Sequence, residues 1–329
     1  MVSGIREYRV VDTHTCGEPT RIVPHFSKVK GTTMAAVKKE MKTRHDWFRK
    51  FLLNEPRGHN DMFGAILFPP KSKDSDLGVV FMDNGDYLTM CGHGIIGVVT
   101  CAVETKLVKK KATIIVDTPA GIVVTHPHYA KGHVVSVSFE NVPAFVSETV
   151  SINLSNKPLR VDVVFGGNFF AMVSAKEAGI QIRASEKSRI IETGLLIRDA
   201  VNSSVSVAHP KLPSIDKVAL IEFSGPAVSQ KANARNVVVF GKGQIDRSPC
   251  GTGTCAKLAL LHSQGKIRVG EYFVHESILG TTFKARILRE TQVGKYDAVL
   301  PEVTGSAHIT GFNTLRYDHS DPLGRGFLL

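Results

Sequence analysis

Short apolar runs bounded by glycine, proline or charged residues recur along this chain, and most have the length and β-branched content of strands. Tyr8–Asp12 runs into a polar turn. Ala65–Phe68, closed by Pro69 and Pro70, and Gly78–Met82 follow it. Thr113–Val116, Ile122–Val124 and Val134–Val137 extend the series. From about Leu159 onward the pattern returns in Arg160–Val164, Val218–Phe223, Asn236–Phe240 and Phe283–Ile287. Two stretches have helical length and spacing instead: Met34–Leu53, with Trp47, Phe48 and Phe51 on or near its inner side, and Ser185–Val201. Two more helices are predicted after Cys91 and Cys250. The first is apolar nearly all round (Ile95, Ile96, Val98, Val99, Ala102, Val103), as befits a helix enclosed by a sheet.

The segments opening those two helices are alike. Met90-Cys91-Gly92-His93-Gly94 and Pro249-Cys250-Gly251-Thr252-Gly253 share a Cys-Gly-x-Gly pattern at an offset of 159 residues. The echo continues downstream, where Asp117 and Gly121 stand at the same distances from Cys91 as Glu276 and Gly280 from Cys250. Upstream, Val80-Phe81-Met82 and Val238-Val239-Phe240 occupy similar places. The chain therefore reads as two copies of one folding unit, each presenting a cysteine at a helix start. Units related in this way often exchange terminal strands, so the last residues are expected to return to the first half.

A helix start has unpaired backbone N–H groups and the positive end of the helix dipole. Both lower the pKa of a thiol placed there, and the same N–H groups can hold a carboxylate. Two opposed thiols, one ionised and one protonated, can remove a proton from one face of a carbon and return one to the other. That chemistry is a racemisation without a cofactor, provided the substrate carboxylate is held by hydrogen-bond donors where charge develops.

At these residues the chain resembles the proline racemase family. The matching segments are Asp12–Pro19, Glu55–Gly64, Met90–Gly94, Phe165–Phe170, Asp246–Thr254, Ile309–Asn313 and Asp321–Leu323, spread over essentially the whole chain. The resemblance implies an α+β, diaminopimelate-epimerase-like fold of two pseudo-symmetric domains, each a curved sheet or barrel around a central helix. Residues 1–158 with 312–329 would carry Cys91, and residues 159–311 would carry Cys250. The implied reaction is racemisation or epimerisation at the α-carbon of proline, and of 4-hydroxyproline, with Cys91 and Cys250 as the acid–base pair. His93 and Asp246 are implied to meet the ring nitrogen, and Gly92, Gly94, Gly251 and Thr252 are assigned to the carboxylate cradle. Phe63 and Phe240 match positions that wall the pyrrolidine ring. The family's trans-3-hydroxyproline dehydratases usually have threonine where Cys250 stands, which argues against dehydration. Its 4-hydroxyproline 2-epimerases often carry a histidine at the position of Leu220, and the apolar Leu220 points to proline. His275, by contrast, looks more like some of those epimerases. A homodimer with a complete site in each subunit is also implied.

The 329 residues suffice for two domains of ordinary size. The net charge of +11 could suggest nucleic acid, but the lysines are scattered and a solvated basic face accounts for them. No signal peptide is expected, no apolar run reaches the length of a membrane span, and five cysteines without regular spacing argue against a disulfide framework. A cytoplasmic protein with reduced thiols is expected. Cys101 and Cys255 lie inside the helices and read as core, and Cys16 has no catalytic assignment. No set of ligands converges by spacing on a metal, His14 and Cys16 included. A dithiol redox protein would need a Cys-x-x-Cys arrangement, which is absent. A non-catalytic binder of anionic metabolites would need neither thiol.

Overall fold

The computed structural model describes residues 4–26, 29–213 and 215–329. The chain divides into two compact units, Met1–Ser138 with Ser306–Leu329, and Phe139–Gly305.

In the first unit, β1 (Ile5–Thr15) and β2 (Glu18–Val23) form a hairpin through Cys16 and Gly17, both at positive φ (51° and 102°). That two-residue turn matches the natural twist of the strands. The stretch predicted as one helix is two, α1 (Met34–Arg44) and α2 (Asp46–Leu53). His45, at φ −127° and ψ 17°, breaks it. Asp46 opens a new first turn and pairs with Arg49 at 2.7 Å, which suits a helix N-terminus. Each helix then aims its own apolar set, Met34, Val37 and Met41 or Phe48, Phe51 and Leu52, into one aromatic-rich core. β3 (Gly64–Phe68), β4 (Leu77–Met82), β5 (Tyr87–Leu88), α3 (Gly92–Glu104), β6 (Ile114–Thr118), β7 (Gly121–Ala130) and β8 (His133–Glu140) follow.

The second unit repeats this order. It contains β9 (Ala144–Leu154), β10 (Lys157–Phe165), β11 (Phe169–Ser174), α4 (Lys187–Ser204), β12 (Val218–Gly225), β13 (Ala234–Phe240), β14 (Gln244–Ile245), α5 (Gly251–Ser263), β15 (Tyr272–Glu276), β16 (Thr282–Val293) and β17 (Tyr296–Gly305). The final strand, β18 (Ala307–Asp318), belongs to the first unit and pairs with β1 along its length.

The duplication extends to individual bonds. β2–β3 and β11–β12 are parallel pairs, β3–β4 and β12–β13 antiparallel, and β4–β6 and β13–β15 parallel. Asp117 Oδ2 accepts the backbone N–H groups of Lys71 and Ser72, both at 2.9 Å. Glu276 Oε2 accepts those of Val228 and Ser229 at 2.7 and 3.2 Å. The acidic residue of each copy thus ties down the loop between the two strands that precede the central helix.

Those central helices are the same length and are enclosed by strands. Every residue of α3 from Gly92 to Val103 is buried, against β1, β2, β3, β7 and β18. α5 packs on β9, β10, β11, β16 and β17. With no solvent-facing side, α3 cannot be amphipathic, hence its unbroken apolar sequence. The architecture is mixed α+β.

The sequence reading put the domain boundaries at 158/159 and 311/312; the compact units divide at 138/139 and 305/306. The shift follows from pairing. β9 lies before the sequence boundary but hydrogen-bonds to β10 from Lys157 to Phe165, so its ladder is in the second unit. β18 is bonded to β1 from residue 307 onward. Among the described residues, no helix is long and apolar enough to cross a membrane.

Candidate active site

Each central helix begins one residue after a cysteine, and each cysteine is the N-cap. Cys91 is extended (φ −146°, ψ 119°), and its Sγ accepts the Gly94 N–H at 3.2 Å. A Ser or Asp cap would make the same bond to the third helical residue through oxygen; in this helix sulfur is the acceptor. His93 Nδ1 lies 3.3 Å from the same sulfur. His93 is buried, and burial pushes its pKa down to about 3, so the ring is neutral and meets the thiol as hydrogen-bond donor or acceptor according to its tautomer. Phe63 packs edge-on against that ring, with centroids 4.5 Å apart. The Thr15 hydroxyl donates to the His93 carbonyl at 2.9 Å, fixing the first helical turn to β1. Gly92 and Gly94 are buried in that turn.

In the second unit Cys250 takes φ 58°, a left-handed conformation uncommon for a residue with a side chain. Such outliers persist where surrounding bonds hold them, and this one is held on both sides. Asp246 Oδ1 accepts the Ser248 N–H at 2.7 Å, and Ser248 Oγ accepts the Cys250 N–H at 3.1 Å. Cys250 Sγ then accepts the Gly253 N–H at 3.4 Å and has Thr252 Oγ1 at 3.7 Å. Asp246 does more than cap a turn: it also lies close enough to the thiol for the two groups to shift each other's pKa. Gly251 and Thr252 are buried in the opening turn of α5.

The electrostatics of Cys250 differ from the sequence expectation. A helix start alone would lower its pKa, but burial, then Asp246, then Glu222 push it well above the ordinary thiol value, outweighing the Gly253 N–H. Without a ligand, Cys250 holds its proton. Burial also raises the Asp246 pKa, to about 6, against the hydrogen bonds from Ser248. Cys101 and Cys255 are fully buried in α3 and α5, and burial raises both thiols, Cys101 to about 12. None of the five cysteines is in a disulfide.

Phe240 ends β13, and Leu220 lies in β12; both are buried, at 7 % and 8 % exposure. Their strand neighbours Ile221, Phe223, Val237 and Val239 point into the core shared with α4. By strand alternation Leu220, Glu222, Val238 and Phe240 occupy the opposite face, toward α5. The structure thus gathers His93, Phe63, Gly92 and Gly94 around Cys91, and Asp246, Gly251 and Thr252 around Cys250. Glu222 escaped the sequence reading. Its only signal was a lone charge inside the run Val218–Phe223, in a strand that proves to be buried. His275 is buried behind α5, with Nδ1 3.0 Å from Thr254 Oγ1. Among the described residues no three His, Cys, Asp or Glu side chains converge as a metal site.

Comparison with known proteins agrees with this build. The sequence pattern of the family described as proline racemase matches residues 10–328. The chain is 45 % identical to the proline racemase of Acetoanaerobium sticklandii, over 96 % of this chain and 97 % of that one. It is 41 % identical to a trans-3-hydroxy-L-proline dehydratase of Bacillus cereus, over 98 % of both. A crystal structure of a hydroxyproline epimerase from Agrobacterium vitis, with bound trans-4-hydroxy-L-proline, superposes with a TM-score of 0.93 at 30 % identity, covering 98 % of this chain and 95 % of that one. The fold is the diaminopimelate-epimerase-like one. A family match from end to end, on a chain that builds the same cysteine-capped helix start twice, makes this protein a member of the proline racemase family, an isomerase of the racemase and epimerase type.

Proposed function

We propose that this protein racemises proline without a cofactor, accepts 4-hydroxyproline as a second substrate, and uses Cys91 and Cys250 as its acid–base pair. The observation that carries this reading is the double construction of a helix whose N-cap is a thiol, at Cys91 and again at Cys250. Threonine at the second position would suit dehydration; Cys250 supplies a second group able to deliver or accept a proton.

In this mechanism the pair holds one proton. The substrate carboxylate takes N–H groups of the two helix starts, around Gly92 and Gly94 and around Gly251 and Thr252, where developing charge is best stabilised. The ring ammonium goes to Asp246 and His93. Cys250 is protonated in the free protein largely through burial and the Asp246 charge. A cation against Asp246 cancels that charge, so substrate binding itself makes the thiol more acidic. One thiolate then removes the α-proton while the other thiol protonates the opposite face. Phe63, Phe240 and Leu220 form the apolar wall along the ring. Leu220 offers no hydrogen bond to a ring hydroxyl, which favours proline. The reading extends to a homodimer with a complete site in each subunit, working in the cytoplasm, where thiols stay reduced.

The test is to supply L-proline, D-proline and both epimers of 4-hydroxyproline in deuterium oxide and follow optical rotation and α-deuterium. Loss of rotation from either proline enantiomer, with deuterium entering the product, is expected. Stable rotation with all four compounds overturns the reading, and pyrroline formation from trans-3-hydroxyproline would assign the dehydratase activity instead.

A further inference from the structure

The two helix starts differ in what lies beneath the glycine that donates to the thiol. A methyl added to Gly94 would meet the Phe81 ring, whereas one added to Gly253 would run into Glu222 Oε2. One thiol thus has an aromatic ring under its N–H donor, and the other has a carboxyl group.

That carboxyl is fully buried, and neither of its oxygens has a hydrogen-bond partner in good geometry. Its neighbours include an acceptor in need of a proton. Thr254 Oγ1 donates to the Pro249 carbonyl at 3.2 Å, so the bond between Thr254 and His275 at 3.0 Å takes its hydrogen from Nδ1. His275 Nε2 is then a bare acceptor; it lacks a partner and faces Glu222 Oε1 at 4.0 Å. Asn236, from β13, gives one amide hydrogen to the Pro249 carbonyl at 2.8 Å and has a second near the carboxyl, which favours the carboxylate but less than burial opposes it; its own Oδ1 is unpartnered and can accept from a protonated Glu222. A bare carboxylate among such groups is costly, whereas a protonated one has acceptors to serve. The charged or titratable groups around Glu222 are Lys257 on α5, Cys250 at its N-cap, His275 on β15, and Asp246 ahead of α5.

We propose that Glu222 is a positioning residue for Cys250, held as a neutral acid against Gly253 at working pH, and that its ionisation in alkaline solution opposes formation of the Cys250 thiolate. Burial raises the Glu222 pKa to about 8, consistent with this geometry, and its charge opposes ionisation of Cys250. The carboxyl therefore limits activity on the alkaline side through one of the two thiols only. The inference takes Cys250 to be the working thiol proposed above, but its test reads the thiol rather than turnover, so either idea can fail alone.

The experiment compares the full-length protein with Glu222→Gln. Iodoacetamide labelling rates are measured by peptide mapping between about pH 6 and about pH 10, where thiolate formation governs the rate. The Cys250 rates should coincide below about pH 7 and diverge above it, with Glu222→Gln faster by about tenfold near pH 9, equivalent to one pKa unit. Cys91, in the same digests, should give identical curves. Superimposable Cys250 curves at all pH values, or a displacement equal at every pH, overturn the proposal. A second measurement on the unmutated protein guards against a variant that fails to fold: infrared difference spectra with 13C-labelled glutamate. A protonated glutamate band that disappears as pH rises through about 8 is expected; absence of a protonated glutamate near neutrality overturns the proposal.

Discussion

A Cβ on Gly94 would lie 2.5 Å from a ring carbon of Phe81, and this gap keeps the Gly94 N–H 3.2 Å from the Cys91 sulfur. Gly94→Ala should push the first turn of α3 away from β4. The expected cost is about 1–3 kcal/mol of stability, the range for overpacking a tight core. The bond to sulfur should lengthen and kcat should fall. Thermal unfolding and steady-state rates of the variant check this; unchanged values would mean that Phe81 yields freely.

Cys91→Ser and Cys250→Ser should each leave the fold intact, since serine is a good helix cap, yet abolish complete racemisation. A hydroxyl is far less acidic than a thiol, so the loss should be about 100-fold or more, the scale of a general acid–base group. Near-normal turnover of proline by either variant would end the two-thiol mechanism.

Glu222 and His93 also predict how stability varies with pH. A carboxyl raised in the folded state costs stability as pH climbs from about 4.5 in the unfolded chain toward about 8. The advantage of Glu222→Gln in thermal unfolding should therefore grow over that window, by up to about 1.4 kcal/mol per pH unit, and then level off. His93, neutral and depressed to about 3, acts in the other direction: its stabilisation is lost as pH falls from about 6.5. His93→Gln should narrow the loss in mild acid, and parallel pH curves for variant and parent would contradict the assignment.

Leu220→His should move kcat/KM toward 4-hydroxyproline, because a site that hydrogen-bonds a substrate hydroxyl discriminates more strongly than an apolar wall. Leu220 lies on the α5 face of β12, consistent with such a role. Identical substrate ratios before and after the change would remove Leu220 from the pocket.

Iodoacetamide should inactivate the enzyme by labelling Cys91 or Cys250, and pyrrole-2-carboxylate should protect it. Under the proposed mechanism this flat ring mimics the planar α-carbon of the deprotonated substrate and should bind more tightly than proline. Cys101 and Cys255, fully buried and with raised pKa values, should stay unlabelled in the native protein. Labelling of Cys16 alone would refute the assignment.

The sequence by itself determined the repeated unit and the two helix starts. Cys-Gly-x-Gly is local chemistry: the N-cap, the donor three residues on and the glycine that admits it all lie within one turn. Asp117 and Glu276 were visible as an echo for a similar reason, since each serves a loop at a fixed place in its copy. What only the tertiary structure decided depends on partners distant along the chain. β9 crosses into the second unit because its ladder is with β10, and nothing in its own residues says which neighbour it will choose. The break at His45 reflects two apolar faces that must meet one core from different directions. The raised Cys250 pKa comes first from burial, then from Asp246 in the same segment and Glu222 on β12; the sequence displays the helix start that would lower it but neither the burial nor Glu222. Glu222 was hidden for the same reason: a lone glutamate in an apolar strand shows its chemistry only when the fold closes over it and sets it beneath Gly253.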